Sequence, residues 1–502
     1  MNDRKPVCVT ESSDETIAIQ PRNRDMDFAD VRKMVVGDFW VNSKAYEHTE
    51  YIVDHFGNRF MGTESERQAK DHILALFKAS GLENPHEDTY RYHGWKRGPC
   101  TVKMLSPVQR EIWAFAHAHS GSTPPGGIQA QVIDLGKGVK QDFEAKAGQV
   151  KGKIAMVTTG WHPGQSYFIG HRTGKHGWAR DFGAVGLIIR NETPGGLIEA
   201  GTIATGYRKS GDIPVVGVSF ETGAFIERQL QKGPVTVSID MQNEVLPNAV
   251  GWNVVGDITG TKYPERKILV GAHFDGHDIG QESASDDLLG AMVMLDVART
   301  LAKFKGTFLR TMRFVAFGNE ECWTVGSTNY VARHESDIKN IDIMINGDGL
   351  GRYPDPFVSV NNPSGLAAPL SKLVEVWKID AAVGFADGRN PAWCTASDNH
   401  PFTMQGVPTL GIGGRKRASA VGTTGRGAAL RDHTICDTMD KIDRHTIKQY
   451  AVLLAELMMA LAQTDEPLIR HSTKEEVLEA LRQCGYIDAL KAQGRWHPES
   501  IL

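Results

Sequence analysis

Apolar positions in this chain recur with two different periods, and the switches between them outline its elements. Residues 1 to about 40 read as a polar entry followed by a short helix. Ala45 to Ser80 predicts two helices separated by a turn. The second begins after Gly62-Thr63, with Thr63 as cap, Glu66 three residues later, and Ala69, Ile73 and Leu76 on one face. An extended stretch follows from about Thr89 to Leu105.

From about Gly126 to Pro247 the pattern shortens. Brief β-like runs at 131–133, 153–157, 186–189 and 213–218 are separated by glycine turns, with a helix predicted over 221–231. This block carries no cluster of acids and histidines and reads as a smaller α/β unit inserted into a larger one. The larger unit resumes at Trp252. Strands are predicted at 252–255, 267–271, 313–317, 341–345 and 408–412, and helices at 287–303, 326–333, 366–379 and 444–462. Strands alternating with helices of this length predict an α/β fold: a mixed central sheet flanked by helices in three layers. The expected organisation is 1–125 for the first part of the catalytic unit, 126–250 for the insert, 251–465 for the main part and 466–502 for a helical tail. The tail is capped by Thr473-x-x-Glu476, and its charge content suggests a peripheral position.

At 502 residues the chain exceeds what one core serves. A formal net charge of -4 gives no reason to expect a nucleic-acid partner. The N-terminus lacks the apolar core of a secretion signal, and no stretch approaches the roughly 18 apolar residues of a membrane span. A cytoplasmic location is therefore expected, or a secreted or periplasmic one if a leader was removed, with no membrane association. None of the six cysteines forms a Cys-x-x-Cys pair, so a thiolate zinc site is not expected. Cys394 and Cys436 are candidates to pair near the active site, and Cys322 reads as a small buried side chain.

The chemistry gathers where strands end. His273 and Asp275 follow the run 268–270, Glu320-Glu321 follow the strand ending at Phe317, and Asp348 follows 343–345. Asp286-Asp287 open a helix and His433 sits in a loop before another. Isolated polar loops would explain any one of these, but not the repetition after strongly apolar runs. In open α/β sheets ligands bind at such strand ends. His273 is a natural metal ligand, and Asp275 is placed to orient it. One carboxylate of the Asp286-Asp287 pair can bridge two ions, although spacing does not choose between them. Adjacent glutamates point in different directions, so Glu321 is expected as ligand and Glu320 as general base. His433 supplies the neutral ligand that a second ion needs. Mixed nitrogen and oxygen donors suit two zinc ions, with cobalt or manganese as substitutes.

Five motifs together resemble the zinc-dependent M28 peptidases: GAHFDGHD at 271–278, SASDDLLGA at 283–291, FGNEECWTVGS at 317–327, INGDG at 345–349 and DHTICDT at 432–438. The resemblance implies that His273 and Asp348 hold one zinc, that Glu321 and His433 hold the other, and that Asp286 bridges them. It also implies Glu320 as base, Asp275 supporting His273, and a cis peptide at Asp286-Asp287. The insert looks like a protease-associated (PA) domain. With HFDGHD close to an H-x-D-S-W-D form, the chain is most similar to the carboxypeptidase Q-like branch, which includes dipeptidases and aminopeptidases and whose members are often dimers.

The implied activity is hydrolysis of peptide bonds at a chain terminus, so a peptide or small amide is the expected partner and a homodimer is plausible. The alternative is a di-zinc amidohydrolase acting on a non-peptide or N-acylated amide. Two departures bear on substrate choice. Asn399 stands where many relatives carry histidine, with His400 beside it, and the loop 413–427 is basic and glycine-rich. Asn399, His400, Arg415 and Arg417 are the candidate substrate-binding residues, and the aromatic stretch 161–178 is a candidate lid.

Overall fold

The computed structural model describes residues 27–203, 211–280, 282–351, 356–385, 397–414 and 432–496. Its larger sheet runs, in spatial order, through Glu83–Lys96, Glu244–Ile258, Arg310–Phe317, Tyr263–His273, Ile341–Asn346, Thr409–Gly414, Pro356–Asn362 and Ala382–Phe385. Its centre is parallel: Tyr263–His273 pairs in parallel with Arg310–Phe317 on one side and Ile341–Asn346 on the other. Side chains of a strand alternate between faces. Ile268, Val270 and Ala272 accordingly enter the main core, and Leu269 enters the core on the opposite face. Ile343 and Ile345 divide from Met344 in the same way. Burial on both faces explains why these strands read as continuous apolar runs.

Helices Phe28–Asn42, Ala45–Phe56, Leu289–Ala302 and Arg444–Ala462 cover the first face, and Val325–Arg333 with Asn399–Met404 cover the second. The expected cap is present: Thr63 accepts the backbone N–H of Glu66 at the start of Glu64–Ala79. The helix expected from 287 is regular only over Leu289–Ala302. Asp286 and Asp287 have non-helical dihedrals, and the peptide between them is cis, as the family resemblance implies. Among the described residues no helix is long and apolar enough to cross a membrane.

The second sheet has the order Arg110–Ile112, Cys100–Ser106, Thr236–Met241, Ile128–Asp134, Ile154–Thr158, Gly186–Arg190, Val215–Val218 and Phe115–Ala116. It begins at Cys100, so residue 126 lies inside it. Cys100–Ser106 finds its partner in Thr236–Met241, far along the chain, a pairing that local pattern does not reveal. The two sheets are joined by Glu83–Lys96 and Glu244–Ile258, which pair antiparallel along most of their length.

The tail is not peripheral. Its capping box forms as expected, with Thr473 and Glu476 capping each other. Helices Lys474–Cys484 and Ile487–Ala492, however, share a core with Phe168 of the second unit and Met404 of the first. Charge content misled here because an amphipathic helix buries only one stripe, whatever its net polarity. The close approach needs a glycine: a Cβ at Gly177 would lie 2.1 Å from the carbonyl oxygen of Ala492. Gly177→Ala should therefore weaken docking of the tail by about 1–3 kcal/mol. Limited trypsin digestion should show faster cleavage around Lys491 and Arg495, and an unchanged cleavage rate would contradict this packing.

Candidate metal centre

Three neighbouring parallel strands deliver chemistry at the same edge. His273 is the last residue of Tyr263–His273, Glu320 and Glu321 follow Arg310–Phe317, and Asp348 follows Ile341–Asn346. The loop carrying Asp286 and the loop carrying His433 close over that edge. Two groups of donor atoms result: His273, Asp286 and Asp348 in one, and His277, Glu321 and His433 in the other, with atoms in each group within 4.8 Å of one another.

Asp286 joins the groups. Its Oδ1 lies 3.6 Å from His273 Nε2, and its Oδ2 lies 3.2 Å from His433 Nε2. Glu321 Oε2 lies 3.1 Å from His433 Nε2 and 2.7 Å from His277 Nε2. Glu320 belongs to neither group, and its Oε2 is 3.8 Å from His273 Nε2. The choice between Asp286 and Asp287 is thus made by direction: Asp287 turns away and accepts the backbone N–H of Gly349 at 3.0 Å.

Asp275 does more than orient a ring. Its backbone carbonyl oxygen is 3.3 Å from His273 Nδ1, and its carboxylate accepts the backbone N–H groups of Glu320 at 2.9 Å and Glu321 at 3.1 Å. One side chain therefore ties the His273 loop to the glutamate turn. Asp437 plays a similar part for Asp286, accepting from the backbone of Ser285 at 2.9 Å and of Asp286 at 3.1 Å. Ser397 Oγ donates to Asp348 Oδ2 at 2.8 Å and accepts from Asn346 at 2.8 Å. Backbone strain gathers here too: Ser283, Asn319, Trp323, Thr324 and His433 all have positive φ.

The electrostatics differ between the glutamates. Burial, with Asp398, Glu321 and Asp348 adding to it, raises Glu320 well above the ordinary carboxylate range, although His273 opposes this. Burial would also raise Glu321, but His277 and His433 outweigh it and hold Glu321 low. Burial likewise pushes Asp398 up to about 7. So many acids out of water, with imidazoles among them, call for cations. Imidazole and carboxylate donors at these spacings suit zinc.

The substrate-binding candidates fare differently. Asn399 and His400 are buried at the start of Asn399–Met404, beside Ser397 and Asp398. Arg415, Arg417 and Cys394 lie outside the described residues, and with them the basic loop and the Cys394–Cys436 pairing. In the aromatic stretch, Trp161 and Tyr167 are accessible and in edge contact, while Phe168 is buried.

Several residues escaped sequence reasoning. Arg59 is fully buried and donates to the carbonyl oxygens of Gly57, Phe274, Glu282 and Ser283 at 2.5–2.8 Å. It links the segments that carry His273 and Asp286, and no local signal marks it. His277 lies inside a quoted motif, and its histidine was the available signal. Arg172 is buried, with Nε donating to the Thr202 carbonyl oxygen at 2.7 Å and Nη1 3.5 Å from Glu199. Its charge opposes protonation of both His277 and His433, so it acts on the centre from the second unit. The adjoining Ala200 N–H donates to the His433 carbonyl oxygen at 3.2 Å.

Residues 253–458 match Peptidase family M28, and residues 128–226 match the PA domain. Carboxypeptidase Q of Mus musculus is 25% identical over 443 residues, covering 85% of this chain and 87% of that protein. Among solved structures, a peptidase M28 precursor from Shewanella amazonensis SB2B has a TM-score of 0.74 at 22% identity, covering 88% of this chain and 98% of that one. BSAP, a zinc aminopeptidase from Bacillus subtilis, has a TM-score of 0.62 at 21% identity, covering 84% and 95%. At these identities the solved structures speak to the fold.

Arg59→Met keeps volume but leaves the carbonyl groups of Gly57, Phe274, Glu282 and Ser283 without their donor. It should cost on the order of 3–5 kcal/mol in urea unfolding of the metal-free protein and weaken zinc binding. Arg59→Lys cannot reproduce the planar fork and should recover only part of this. Equal stability of all three proteins would show that Arg59 does not hold the loops together.

Proposed function

Because residues 253–458 match Peptidase family M28 and the chain is a hydrolase, we propose that it uses two zinc ions to cleave the peptide bond next to a free chain end, as a dipeptidase or aminopeptidase. The observation that carries this is the division of Asp286, one oxygen toward His273 and the other toward His433, with Glu320 beside both groups and part of neither. In this reading His273 and Asp348 hold one ion, Glu321 and His433 the other, and Asp286 both. Bound there, zinc supplies a water of lowered pKa and polarises the amide carbonyl.

Glu320 does the proton work. A raised pKa suits a carboxylate that accepts a proton from the attacking water and returns it to the departing amine. Asp275 holds Glu320 through its backbone N–H, so the base is aimed by a neighbour and not by a metal. Asp348 is kept in place by Ser397, whose hydroxyl takes one of its oxygens.

Substrate choice in this reading draws on the second unit. Arg172 is a buried cation that acts on His277 and His433, and the accessible Tyr167 meets the neighbouring His171 edge to face. A free carboxylate one residue beyond the scissile bond would meet this guanidinium, which favours dipeptides. Asn399, His400, Arg415 and Arg417 remain the candidate substrate-binding residues of this reading.

A panel of free and N-acetylated dipeptides, tripeptides and aminoacyl anilides, read by mass spectrometry, tests the reading. Free-amine peptides should be cleaved and their acetylated forms spared. Preference for acetylated or non-peptide amides would replace the peptidase reading with the amidohydrolase one. Glu320→Gln should keep its zinc and lose at least ~100-fold in turnover; near-normal turnover with metal bound would remove Glu320 from the role of base. Arg172→Ala should raise KM for dipeptides by about tenfold or more, as expected for losing a charged hydrogen bond, and leave anilides unchanged. A uniform change across both substrates would mean that Arg172 supports the fold and does not read a carboxylate.

A further inference from the structure

The two donor groups are not equivalent. The ligand set proposed above accounts for every member of the first group and leaves one member of the second, His277, without a task. His277 is 2% exposed, and among the described residues its Nδ1 meets no hydrogen-bond partner. An imidazole nitrogen that faces a carboxylate oxygen either carries a proton or shares a cation with it. His277 Nε2 is 2.7 Å from Glu321 Oε2, and its ring meets that of His433 edge to face at 4.4 Å between centroids. Both rings thus converge on the same carboxylate oxygen.

The loop is built to bring it there. The backbone of His277 is fixed by Ser283 Oγ, which donates to its carbonyl oxygen at 3.1 Å. The preceding Gly276 permits the approach, since a Cβ at that position would lie 2.4 Å from the Cβ of Ser283. In the H-x-D-S-W-D form that HFDGHD approaches, the position of His277 is tryptophan, which offers no lone pair to a metal.

We propose that His277 is a direct ligand of the ion held by Glu321 and His433. This rests on the two-ion reading above. That ion would then have His277, Glu321, His433 and one oxygen of Asp286, a closed set of the kind found around tightly held zinc, whereas an ion at His273, Asp348 and the other Asp286 oxygen would keep an open position. The two ions therefore differ in task. The open position at His273, Asp348 and Asp286 would leave room for a substrate carbonyl, and the closed set at His277, Glu321 and His433 would retain its ion more tightly.

X-ray absorption at the zinc edge, on the wild-type protein loaded with two equivalents, counts imidazoles without any mutation. His273, His277 and His433 shared over two ions is the expected result, and only two imidazoles over two ions overturns the proposal. His277→Ala, checked for folding by circular dichroism, is then titrated with cobalt against a competing chelator. The tighter site should weaken by at least ~10-fold, with a changed visible spectrum. Two sites of unchanged affinity and spectrum would overturn the assignment of His277 alone. A wild-type protein that saturates with one equivalent would overturn the two-ion reading and this proposal with it.

Discussion

The carboxylates of Asp275, Asp286, Glu320, Glu321, Asp348 and Asp398 are gathered at one edge of one sheet, most of them out of water. Two like charges about 4 Å apart repel by about 4 kcal/mol at an effective dielectric near 20. A few such pairs would consume the roughly 5–15 kcal/mol by which a domain is stable. The rest of the site answers this constraint. His273, His277 and His433 stand among the acids, Arg59 lies behind them, and burial keeps Glu320 and Asp398 from ionising readily. In the proposed reading metal ions would complete the neutralisation, since the same density of buried acids that costs stability favours cations.

Rigidity comes from the parallel centre of the sheet. Three adjacent strands end at one level, and their loops are stapled by single side chains: Asp275 to the glutamate turn, Asp437 to the backbone at Asp286, Arg59 to the segments that carry His273 and Asp286. Each staple pairs a side chain with backbone groups that would otherwise be buried without partners. The groups proposed for catalysis are thereby fixed by hydrogen bonds within the protein itself.

The second unit is part of the cleft. Its segment from Glu199 to Thr202 is hydrogen-bonded to the His433 loop, it supplies Arg172, and His171 stacks on Trp323, next to the glutamate turn. The tail closes the arrangement from the other side, with Arg495 over the face of Trp323. Elements far apart in sequence thus meet at one aromatic side chain.

The periodic apolar pattern was enough to predict the three-layer α/β fold, the Thr63 and Thr473 caps and most central strands, because a strand buried on both faces or a capped helix is a local property. The strand-end positions of His273, Glu320, Glu321 and Asp348 were legible for the same reason. Arg59, Asp437, Ser397 and the docking of the tail were not, since each acts on residues remote in sequence and nothing local marks the partner. His277 stood in plain view within a motif, but a histidine becomes a candidate ligand only when its ring faces a donor group. What the sequence by itself determined is which residues end the strands. Which of those side chains converge, and which unit covers them, was decided by tertiary packing, because convergence depends on long-range strand pairing and on the directions that buried side chains are forced to take.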